Sequence, residues 1–326
     1  MRAPEFWQKD RGGLLAALLS PLGALYGCSV NLKRLCARPY RARARVICIG
    51  NLTAGGSGKT PVAIAVARAL LTRGEKVFFL TRGYGGRLKG PLLADPAHHN
   101  ASDIGDEPLL LARIAPTIVA RDRAAGAALA DRNGASVIIM DDGFQNFRLK
   151  KDFSVLVING TSGFGNGRVI PAGPLREPAA QGFARADAAI MLGEEGAQLP
   201  YSGPILRARV MAENRDALKG KRIHAFAGIA NPERFFAMLR GIGAEITGTS
   251  IFADHYAFQD RDIKTLQDNA RRQDAVLVTT EKDFVRLAPA KRERIIAVAI
   301  HAVFENAAAF AALLDKALAS GDGAHS

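Results

Sequence analysis

The chain of 326 residues is 48% hydrophobic and carries a formal net charge of +13. This length and composition predict about two domains with substantial cores and exclude general disorder, except in the C-terminal stretch "ASGDGAHS". The three cysteines form no C-x-x-C pair, which excludes a disulfide framework and a cysteine zinc site and indicates a reducing, cytosolic compartment.

The N-terminal segment is apolar. Residues 12–30 contain no charged residue and are just long enough to be a transmembrane candidate. Pro21 divides the stretch, and no clear signal-peptide cleavage site accompanies it. We therefore expect residues 4–27 to form one or two short helices that lie in the membrane interface, anchored by Trp7 and Tyr26. An ordinary core helix and a true membrane span are the alternatives.

The same segment is basic. About half of the net charge lies in residues 1–45, where nine basic residues face only Glu5 and Asp10. We expect these residues to bind an anionic membrane surface, with a solvated basic face as the alternative. Nucleic acid is not an expected partner, because no aromatic residues interleave with the basic ones and no nucleic-acid module is recognisable. The nine are Arg2, Lys9, Arg11, Lys33, Arg34, Arg38, Arg41, Arg43 and Arg45.

The next part of the chain predicts an α/β fold. "RVICIGN" predicts a buried strand that enters a Gly-rich loop, and "PVAIAVARALLTRG" predicts a helix that ends at Gly74. Further short apolar runs follow at helix-sized intervals, which indicates buried parallel strands in a layered α/β sheet. These runs are "KVFFLTRG", "PTIVA", "ASVIIMDD", "FSVLVIN" and "DAAIML".

A second α/β pattern begins near residue 205. A strand, a loop and a helix are predicted around Asn231, the expected N-cap, and Pro232, the expected first helical residue. "DIKTLQDNARRQ" predicts a helix, and "DAVLVTT" and "RIIAVAI" predict strands. Gly, Pro and polar residues in 193–208 indicate a linker. We therefore predict an N-terminal domain of residues 1–195 and a smaller C-terminal α/β domain of residues 196–326, whose last helix could pack on either.

The sequence "GNLTAGGSGKTP", residues 50–61, nearly matches the phosphate-loop pattern G-x-x-x-x-G-K-[ST], with Thr53 where the first glycine is expected. Its glycines would let backbone N–H groups converge on phosphate oxygens at the start of a helix. Lys59 would reach the β- and γ-phosphates, and Thr60 would hold Mg²⁺. An unrelated Gly-rich turn is the alternative, but it gives no reason for the Gly-Lys-Thr ending.

Acidic residues follow the strand predicted in "ASVIIMDDGFQN". Asp141 and Asp142 come directly after its apolar residues, some 80 residues beyond the loop. Phosphate-loop proteins carry an acidic residue at such a strand end to bind Mg²⁺. A simple turn is the alternative. Gln145 could orient a water or a substrate hydroxyl.

Two more clusters are candidates. Asp106 and Glu107 open an apolar helical stretch in "SDIGDEPLLLA", where capping of the helix by carboxylates is the alternative to catalysis. His255 follows Asp254 in the loop "FADHYAF", where a solvent-exposed histidine is the alternative.

Taken together, these segments resemble the tetraacyldisaccharide 4′-kinase family, the kinases of lipid A assembly, over most of the chain. The family implies a P-loop NTPase-like fold of two α/β/α domains with mostly parallel sheets. It implies ATP-dependent transfer of the γ-phosphate to the 4′-hydroxyl of a tetraacyldisaccharide 1-phosphate by a peripheral protein on the cytoplasmic face of the bacterial inner membrane. We expect a monomer. The segments, in order, are "GNLTAGGSGKTP", "TRGYGG", "GDEP", "DDGFQN", "PAGPLRE", "AGIANPERFF", "FADHY" and "TTEKD".

The resemblance also implies roles for single residues. Asp106, paired with His255, would be the base-like residue, and Lys59 would act on the phosphates. Thr60, Glu107, Asp141 and Asp142 would manage Mg²⁺ directly or through water. The ATP site would consist of Thr53, Ala54, Gly55, Gly56, Ser57, Gly58, Lys59, Thr60, Gln145 and Arg176.

One position departs from the family pattern. The family usually has His after the Gln of "DDGFQ", and Asn146 stands there in this chain. Asn cannot titrate, which makes a catalytic role at this position doubtful.

An ATP- or GTP-driven switch or chaperone without a lipid acceptor is the rival function that the phosphate loop and the charge also allow.

Overall fold

The computed structural model describes residues 4–8, 13–56, 58–194 and 199–319, with 3₁₀ turns at Glu5–Trp7 and Pro289–Lys291. The strands are β1 (Arg45–Gly50), β2 (Val77–Thr81), β3 (Leu92–Leu93), β4 (Thr117–Val119), β5 (Val137–Asp141), β6 (Phe153–Asn159), β7 (Ala188–Leu192), β8 (Ile205–Ala212), β9 (Arg222–Ala227), β10 (Glu245–Ile251), β11 (Val276–Thr280), β12 (Ile295–Val298) and β13 (Ile300–Phe304). The helices are α1 (Gly13–Leu35), α2 (Lys59–Thr72), α3 (Ala101–Ile104), α4 (Asp106–Leu111), α5 (Arg123–Arg132), α6 (Ala179–Phe183), α7 (Arg215–Leu218), α8 (Pro232–Gly241), α9 (Asp260–Arg272), α10 (Glu281–Arg286) and α11 (Ala307–Ala319).

Nine strands form a large sheet in the order β13-β8-β7-β6-β1-β5-β2-β4-β3. Its pairs are parallel, except β13 with β8 at one edge and β3 with β4 at the other. The central strands β1, β2, β5 and β7 are buried or nearly so along their whole length, as expected for parallel strands covered on both faces. The predicted α/β class with a mostly parallel sheet is therefore confirmed.

The order of the strands reverses at β1. The chain builds β5, β2 and β4 on one side of β1 and then β6, β7 and β8 on the other. In open α/β sheets, ligands bind beyond the carboxyl ends of the strands at such a switch point, because the loops there diverge and leave a crevice. The phosphate-loop sequence follows β1, and Asp141 ends β5, so both lie at this crevice.

The last helix packs on the large sheet. Leu313 and Leu314 of α11 belong to the same buried cluster as Ile49 of β1 and Val62 and Val66 of α2. The last helix therefore joins the large sheet, a point that the sequence alone left open.

The other four strands form a parallel sheet in the order β10-β9-β11-β12. The predicted cap of α8 is confirmed: the Asn231 side chain accepts from the backbone N–H of Arg234 at 3.3 Å, and Pro232 is the first helical residue. The linker prediction is wrong for residues 205–208, which begin β8 and pair with β7. Exposed Ile205 and Arg207 alternate with buried Leu206 and Ala208, the pattern of a strand covered on one face. The proposed division between residues 195 and 196 stays a prediction.

One described helix, α1, is long and apolar enough to cross a membrane, and 22% of its most apolar stretch is buried. The prediction that short helices end near residue 27 is wrong, because α1 continues through Pro21 to Leu35. Small residues hold it close to the body: a Cβ on Gly23 would lie 2.7 Å from the carbonyl oxygen of Val169. Its leucines face outward, for example Leu14 at 78% exposure, so α1 is not a core helix.

Candidate active site

The phosphate loop leads from β1 into α2. Gly58, the residue before α2, has φ 82°, and a Cβ there would lie 2.4 Å from Cδ1 of Leu192. Gly55 has φ 110°, a region that side chains rarely adopt. Lys59 and Thr60 form the first turn of α2, as the motif requires. Ser57 lies outside the described residues.

Thr53 has a different place in the loop. It forms an antiparallel bridge with Leu175, and the next N–H, of Ala54, donates to the carbonyl oxygen of Pro174 at 2.8 Å. The N–H of Arg176 donates to the carbonyl oxygen of Leu52 at 2.7 Å. The segment that follows Pro171 therefore pairs with the first half of the phosphate loop. The phosphate loop is extended at position 53, where it pairs with this segment, so no glycine is needed there.

Asp141, at the end of β5, faces the start of α2. Its Oδ2 accepts a hydrogen bond from the hydroxyl of Thr60 at 3.1 Å, and its Oδ1 is buried with no hydrogen-bond partner among the described residues. Burial, with the negative charges of Glu107 and Asp142, raises the pKa of Asp141 to about 7, although Lys59 and Thr60 oppose the shift. A buried carboxylate oxygen beside a hydroxyl and without a partner is a position that a cation or a water would fill.

Asp142 is ion-paired. Arg176 donates to Oδ1 at 2.9 Å and to Oδ2 at 3.3 Å, and Nζ of Lys59 lies 3.6 Å from Oδ1. Burial alone would raise the pKa of Asp142, but the charges of Lys59 and Arg176 outweigh it and lower the pKa. The φ of Asp142 is 53°, a strained value for a residue with a side chain, and such values cluster at functional sites.

Gln145 connects this pair to a buried carboxylate. Its Nε2 donates to the carbonyl oxygen of Asn51 and to Glu177 Oε1, both at 3.0 Å, while its Oε1 lies 3.4 Å from Arg176 Nη1. Glu177 is 1% exposed and accepts two hydrogen bonds from Arg185 at 2.9 and 2.8 Å. Gln145 and Arg176 are thus fixed in orientation by a network that ends in a buried ion pair.

Asp106 and His255 meet, although 149 positions apart in sequence. Nδ1 of His255 lies 3.2 Å from Oδ2 of Asp106, which is 3% exposed. Arg286 donates to the same oxygen through Nε at 2.8 Å and also through Nη2. Burial would raise the pKa of Asp106, but the His255 hydrogen bond and the charges of Lys282 and Arg286 hold the pKa well below its usual range.

The lysine and arginine that contact Asp106 come from α10. Nη1 of Arg286 donates to Oδ1 of Asp283 at 2.9 Å and to the carbonyl oxygen of Gly228 at 2.8 Å. Nζ of Lys282 lies 3.4 Å from Oε1 of Glu107 and 3.9 Å from Oδ2 of Asp106. α10 thereby joins the small sheet to the acidic start of α4.

The loop around Tyr84 packs closely on these residues. A Cβ on Gly105, whose φ is 87°, would lie 2.3 Å from the carbonyl oxygen of Tyr84. The ring of Tyr84 lies 5.7 Å from that of His255, whose own φ is 60°. The segments "TRGYGG", "GDEP" and "FADHY" therefore meet in one place.

A magnesium site is compatible with these groups only in part. Among the residues that the structure describes, no three His, Cys, Asp or Glu side chains cluster closely enough to hold a metal ion by themselves. Mg²⁺ usually keeps several waters and binds one or two carboxylates together with substrate phosphates. Asp141 and Thr60 fit that requirement, since Asp141 has an unpartnered oxygen, whereas Arg176 and Lys59 already engage Asp142 and Lys282 engages Glu107.

The structure brings the predicted site residues into two adjoining groups, the phosphate loop with Asp141, Asp142, Gln145 and Arg176, and the Asp106–His255 pair with Glu107. Their roles stay predictions. Sequence reasoning missed Glu177 and the α10 side chains Lys282, Asp283 and Arg286. The segments "PAGPLRE" and "TTEKD" contain all of these except Arg286, but only the fold shows which carboxylates they contact.

Comparisons with known proteins identify the family and the fold. The family model described as "Tetraacyldisaccharide-1-P 4'-kinase" matches residues 15–319. The chain is 50% identical to the "Tetraacyldisaccharide 4'-kinase" of Gluconacetobacter diazotrophicus, over 97% of this chain and 98% of that protein. It is 48% identical to the protein of the same name from Rhodospirillum rubrum, over the same shares of the two chains. The crystal structure of LpxK from Aquifex aeolicus in complex with ATP is similar with a TM-score of 0.78 and 26% identity, covering 94% of this chain and 100% of that one.

Proposed function

Because the chain belongs to the tetraacyldisaccharide-1-P 4′-kinase family, we propose that it transfers the γ-phosphate of ATP to the 4′-hydroxyl of a tetraacyldisaccharide 1-phosphate in lipid A assembly. The observation that carries this proposal is the proximity of the two groups of site residues. Thr60 of the phosphate loop contacts Asp141, and the charge of Glu107, next to Asp106, is close enough to raise the pKa of Asp141. A nucleotide site beside a carboxylate that can accept a proton is the arrangement that phosphorylation of a hydroxyl needs.

ATP binding is the role of the loop at the start of α2. Its backbone N–H groups and the positive end of α2 attract the phosphates, and Lys59 is within reach of them. Lys59 is paired with Asp142 at 3.6 Å, so a phosphate oxygen would share or replace this contact. Arg176, held by Asp142 and Gln145, adds a second cation at the same edge. Phosphoryl transfer is catalysed mainly by such positioning and charge neutralisation.

Mg²⁺ would be held by Thr60 and Asp141, with Glu107 and Asp142 acting through water. It would supply charge neutralisation between the phosphate oxygens. Asp141 must be ionised for this, and a cation beside its unpartnered oxygen would favour the ionised form.

Asp106 is the acceptor of the hydroxyl proton in this proposal. Arg286 and His255 keep it ionised and fix its orientation. A carboxylate of low pKa is a weak base, but phosphoryl transfer has a loose transition state in which little charge develops on the attacking oxygen, so a positioned weak base is sufficient. His255 orients Asp106 and, because it comes from the loop after β10, makes the site depend on both sheets.

The acceptor is a lipid, so the protein must reach a membrane surface. α1 presents exposed leucines beside the basic residues that end the helix, Lys33 and Arg34. An apolar face flanked by cations is typical of a helix that lies in the interface of an anionic membrane. We propose peripheral attachment of a monomer to the cytoplasmic face of the bacterial inner membrane by this segment.

The kinase proposal is tested with γ-labelled ATP and a tetraacyldisaccharide 1-phosphate in detergent micelles. Label that moves into the lipid fraction, dependent on Lys59, supports it. Hydrolysis of ATP without label in the lipid would instead indicate a nucleotide switch and overturn the proposal.

Membrane attachment is tested by sedimentation with vesicles that contain phosphatidylglycerol. Changing Leu14, Leu18 and Leu25 to Gln should abolish co-sedimentation, because these side chains are each more than 60% exposed and do not support the fold. A matched control changes Leu71 and Leu93, which are exposed elsewhere on the surface, to Gln. Equal sedimentation of both variants would contradict attachment by α1.

A further inference from the structure

A second basic pocket lies away from the phosphate loop. It has a volume of about 370 Å³ and opens between the end of α1, the segment that follows "DDGFQ", and Arg185, which lies two residues after α6. Four cationic side chains line it together with two aromatic rings. The lining residues used below are Arg34, Asn146, Phe147, Lys150, Lys151 and Arg185.

The cations of this pocket are poorly neutralised. Among the described residues, no carboxylate pairs with Arg34 or Lys150, both exposed. Lys151 is partly buried, and its Nζ donates to the carbonyl oxygen of Phe144 at 2.7 Å and lies 5.4 Å from the ring centre of Phe147. Burial lowers the pKa of Lys151 because it disfavours the charged form of the side chain, so an anion in the pocket would stabilise that charged form.

The nearest acidic groups are already engaged. Glu177 is held by Arg185, so that pair contributes little net charge. Asp187 accepts from the backbone N–H of Ser154 at 2.8 Å, and Asp152 accepts from that of Val46 at 2.8 Å. Both keep their negative charge, but among the described residues neither forms an ion pair with the three cations. The positive charge of Arg34, Lys150 and Lys151 is therefore available to a ligand.

The side chain of Asn146 adds a polar donor to the pocket. Its Oδ1 accepts from the backbone N–H of Arg148 at 3.1 Å, which leaves the amide hydrogens for another acceptor. A rim of cations with an amide donor and aromatic walls suits a phosphate attached to an organic group, since the charges bind the phosphate and the rings pack against the rest.

The place of the pocket suits a membrane lipid. Ser154, which lines it, pairs with Cys48 on β1, two residues before Gly50, so this lining residue lies about 7 Å back from the carboxyl end of β1 at about 3.3 Å per residue. Arg34 is in the last turn of α1, the helix with exposed leucines. The pocket therefore adjoins the last turn of the proposed membrane helix.

We propose that this pocket binds a phosphate group carried by a membrane lipid, through Arg34, Lys150 and Lys151. The bound phosphate can come from two sources. The first is the 1-phosphate of the acceptor, which is at the opposite end of the disaccharide from the 4′-hydroxyl. For this source the inference rests on the proposed function. The other source is the headgroup phosphate of an anionic phospholipid, which has the same chemistry and does not require kinase activity.

The first arm of the test measures steady-state phosphorylation in nonionic micelles, with an acceptor that carries the 1-phosphate and one that lacks it. For the acceptor 1-phosphate, R34A/K150A should raise KM for the phosphorylated acceptor about tenfold, with kcat and the KM for ATP unchanged, and should leave KM for the other acceptor unaltered. The control R132A/R148A loses the same two charges outside the pocket and should behave as wild type.

The second arm measures binding of the same proteins to phosphatidylcholine vesicles with and without phosphatidylglycerol. If the pocket takes a phospholipid headgroup, R34A/K150A should lose about tenfold in affinity for the phosphatidylglycerol vesicles relative to R132A/R148A, while its acceptor KM in micelles stays unchanged. It should also bind several-fold more weakly than R34A/R148A, which lacks the same α1 cation but keeps Lys150 in the pocket. Either result supports the pocket. If R34A/K150A matches R132A/R148A in both arms, the proposal is overturned, whereas absence of lipid phosphorylation by the wild type would overturn only the proposed function.

Discussion

Arg286 donates two hydrogen bonds to one carboxylate oxygen of Asp106, a residue 180 positions earlier in the chain. The side chain of Arg286 is 6% exposed and that of Asp106 is 3% exposed. The same guanidinium also binds Asp283 and the carbonyl oxygen of Gly228, so it has few unused donors. This single side chain links the small sheet to the acidic start of α4.

The first prediction concerns this link. Arg286→Met leaves two buried carboxylates without their cation, and the free energy of unfolding should fall by about 3–5 kcal/mol, as measured by urea denaturation. Arg113→Met is the matched control, because its pair with Glu281 is more exposed, and it should cost less than about 1 kcal/mol. A further variant that adds D106N and D283N should recover stability but not phosphoryl transfer. A loss below 1 kcal/mol for Arg286→Met would show that the buried pair is not needed for stability.

The second prediction concerns the proton acceptor. Asp106→Asn keeps the size of the side chain but removes its charge, and kcat for lipid phosphorylation should fall about 10²–10³-fold with little change in ATP affinity. His255→Gln, which removes the group that orients Asp106, should have a smaller effect of about tenfold. Single-turnover transfer from labelled ATP checks both. Near-normal kcat in Asp106→Asn would rule out its role as proton acceptor.

The third prediction is a pH dependence of stability. The pKa of Asp141 is raised to about 7 from 3.8 in the folded chain, so folding binds a proton between these values. Its contribution to stability is complete below about pH 4 and is lost as the pH rises through about 7. Asp141→Asn should therefore flatten the fall in stability over this range, by an amount on the order of 4 kcal/mol. Thermal unfolding without nucleotide at several pH values measures it.

Asp142→Asn provides the control of opposite sign. The pKa of Asp142 is lowered, so its stabilisation is present above the ordinary value and is lost on acidification. This variant should lose stability at neutral pH and little at acidic pH. If both variants had the same pH profile, the assignment of the two environments would be wrong.

The fourth prediction separates two glycines of the phosphate loop. Gly58→Ala would place a methyl group against Leu192 at a backbone angle that alanine rarely adopts, so ATP affinity should fall more than tenfold. Gly56→Ala should have a small effect on folding, since no atom of the described part of the chain lies within 4 Å of its Cβ position. Gly58→Ala combined with Leu192→Ala removes the clash between the two side chains but leaves alanine at an unfavourable φ. The double variant should therefore recover only part of the affinity for ATP. Fluorescent-nucleotide titration distinguishes these results.

Much of the large sheet could be predicted from the sequence, because its strands are short continuous apolar runs between helical patterns. β8 could not, since its alternating arginines resemble a polar linker until β7 and β13 pair with it. β3 has two residues, too few for any periodic pattern. Pro21 suggested a break in α1, whereas the packing of small residues on the body keeps the helix continuous.

The positions of candidate site residues were predictable wherever a motif combines a strand end with a chemical requirement, although their roles stay predictions. Lys59, Thr60 and Asp141 are of this kind. Arg286 was not, because one arginine in a short helix carries no local signal, and its partner Asp106 is distant in sequence. The sequence also could not show that Thr53 pairs with Leu175, although this pairing explains why no glycine is needed there.

The bridge at Thr53 has a thermodynamic consequence. Leu175 also bridges to Val169, and the carbonyl oxygen of Val169 lies against Gly23 of α1. The outward-facing helix and the nucleotide loop are therefore joined through two residues of one segment. Reciprocity then constrains any coupling between them: by whatever factor a membrane changes the affinity for ATP, ATP must change the affinity for the membrane by the same factor.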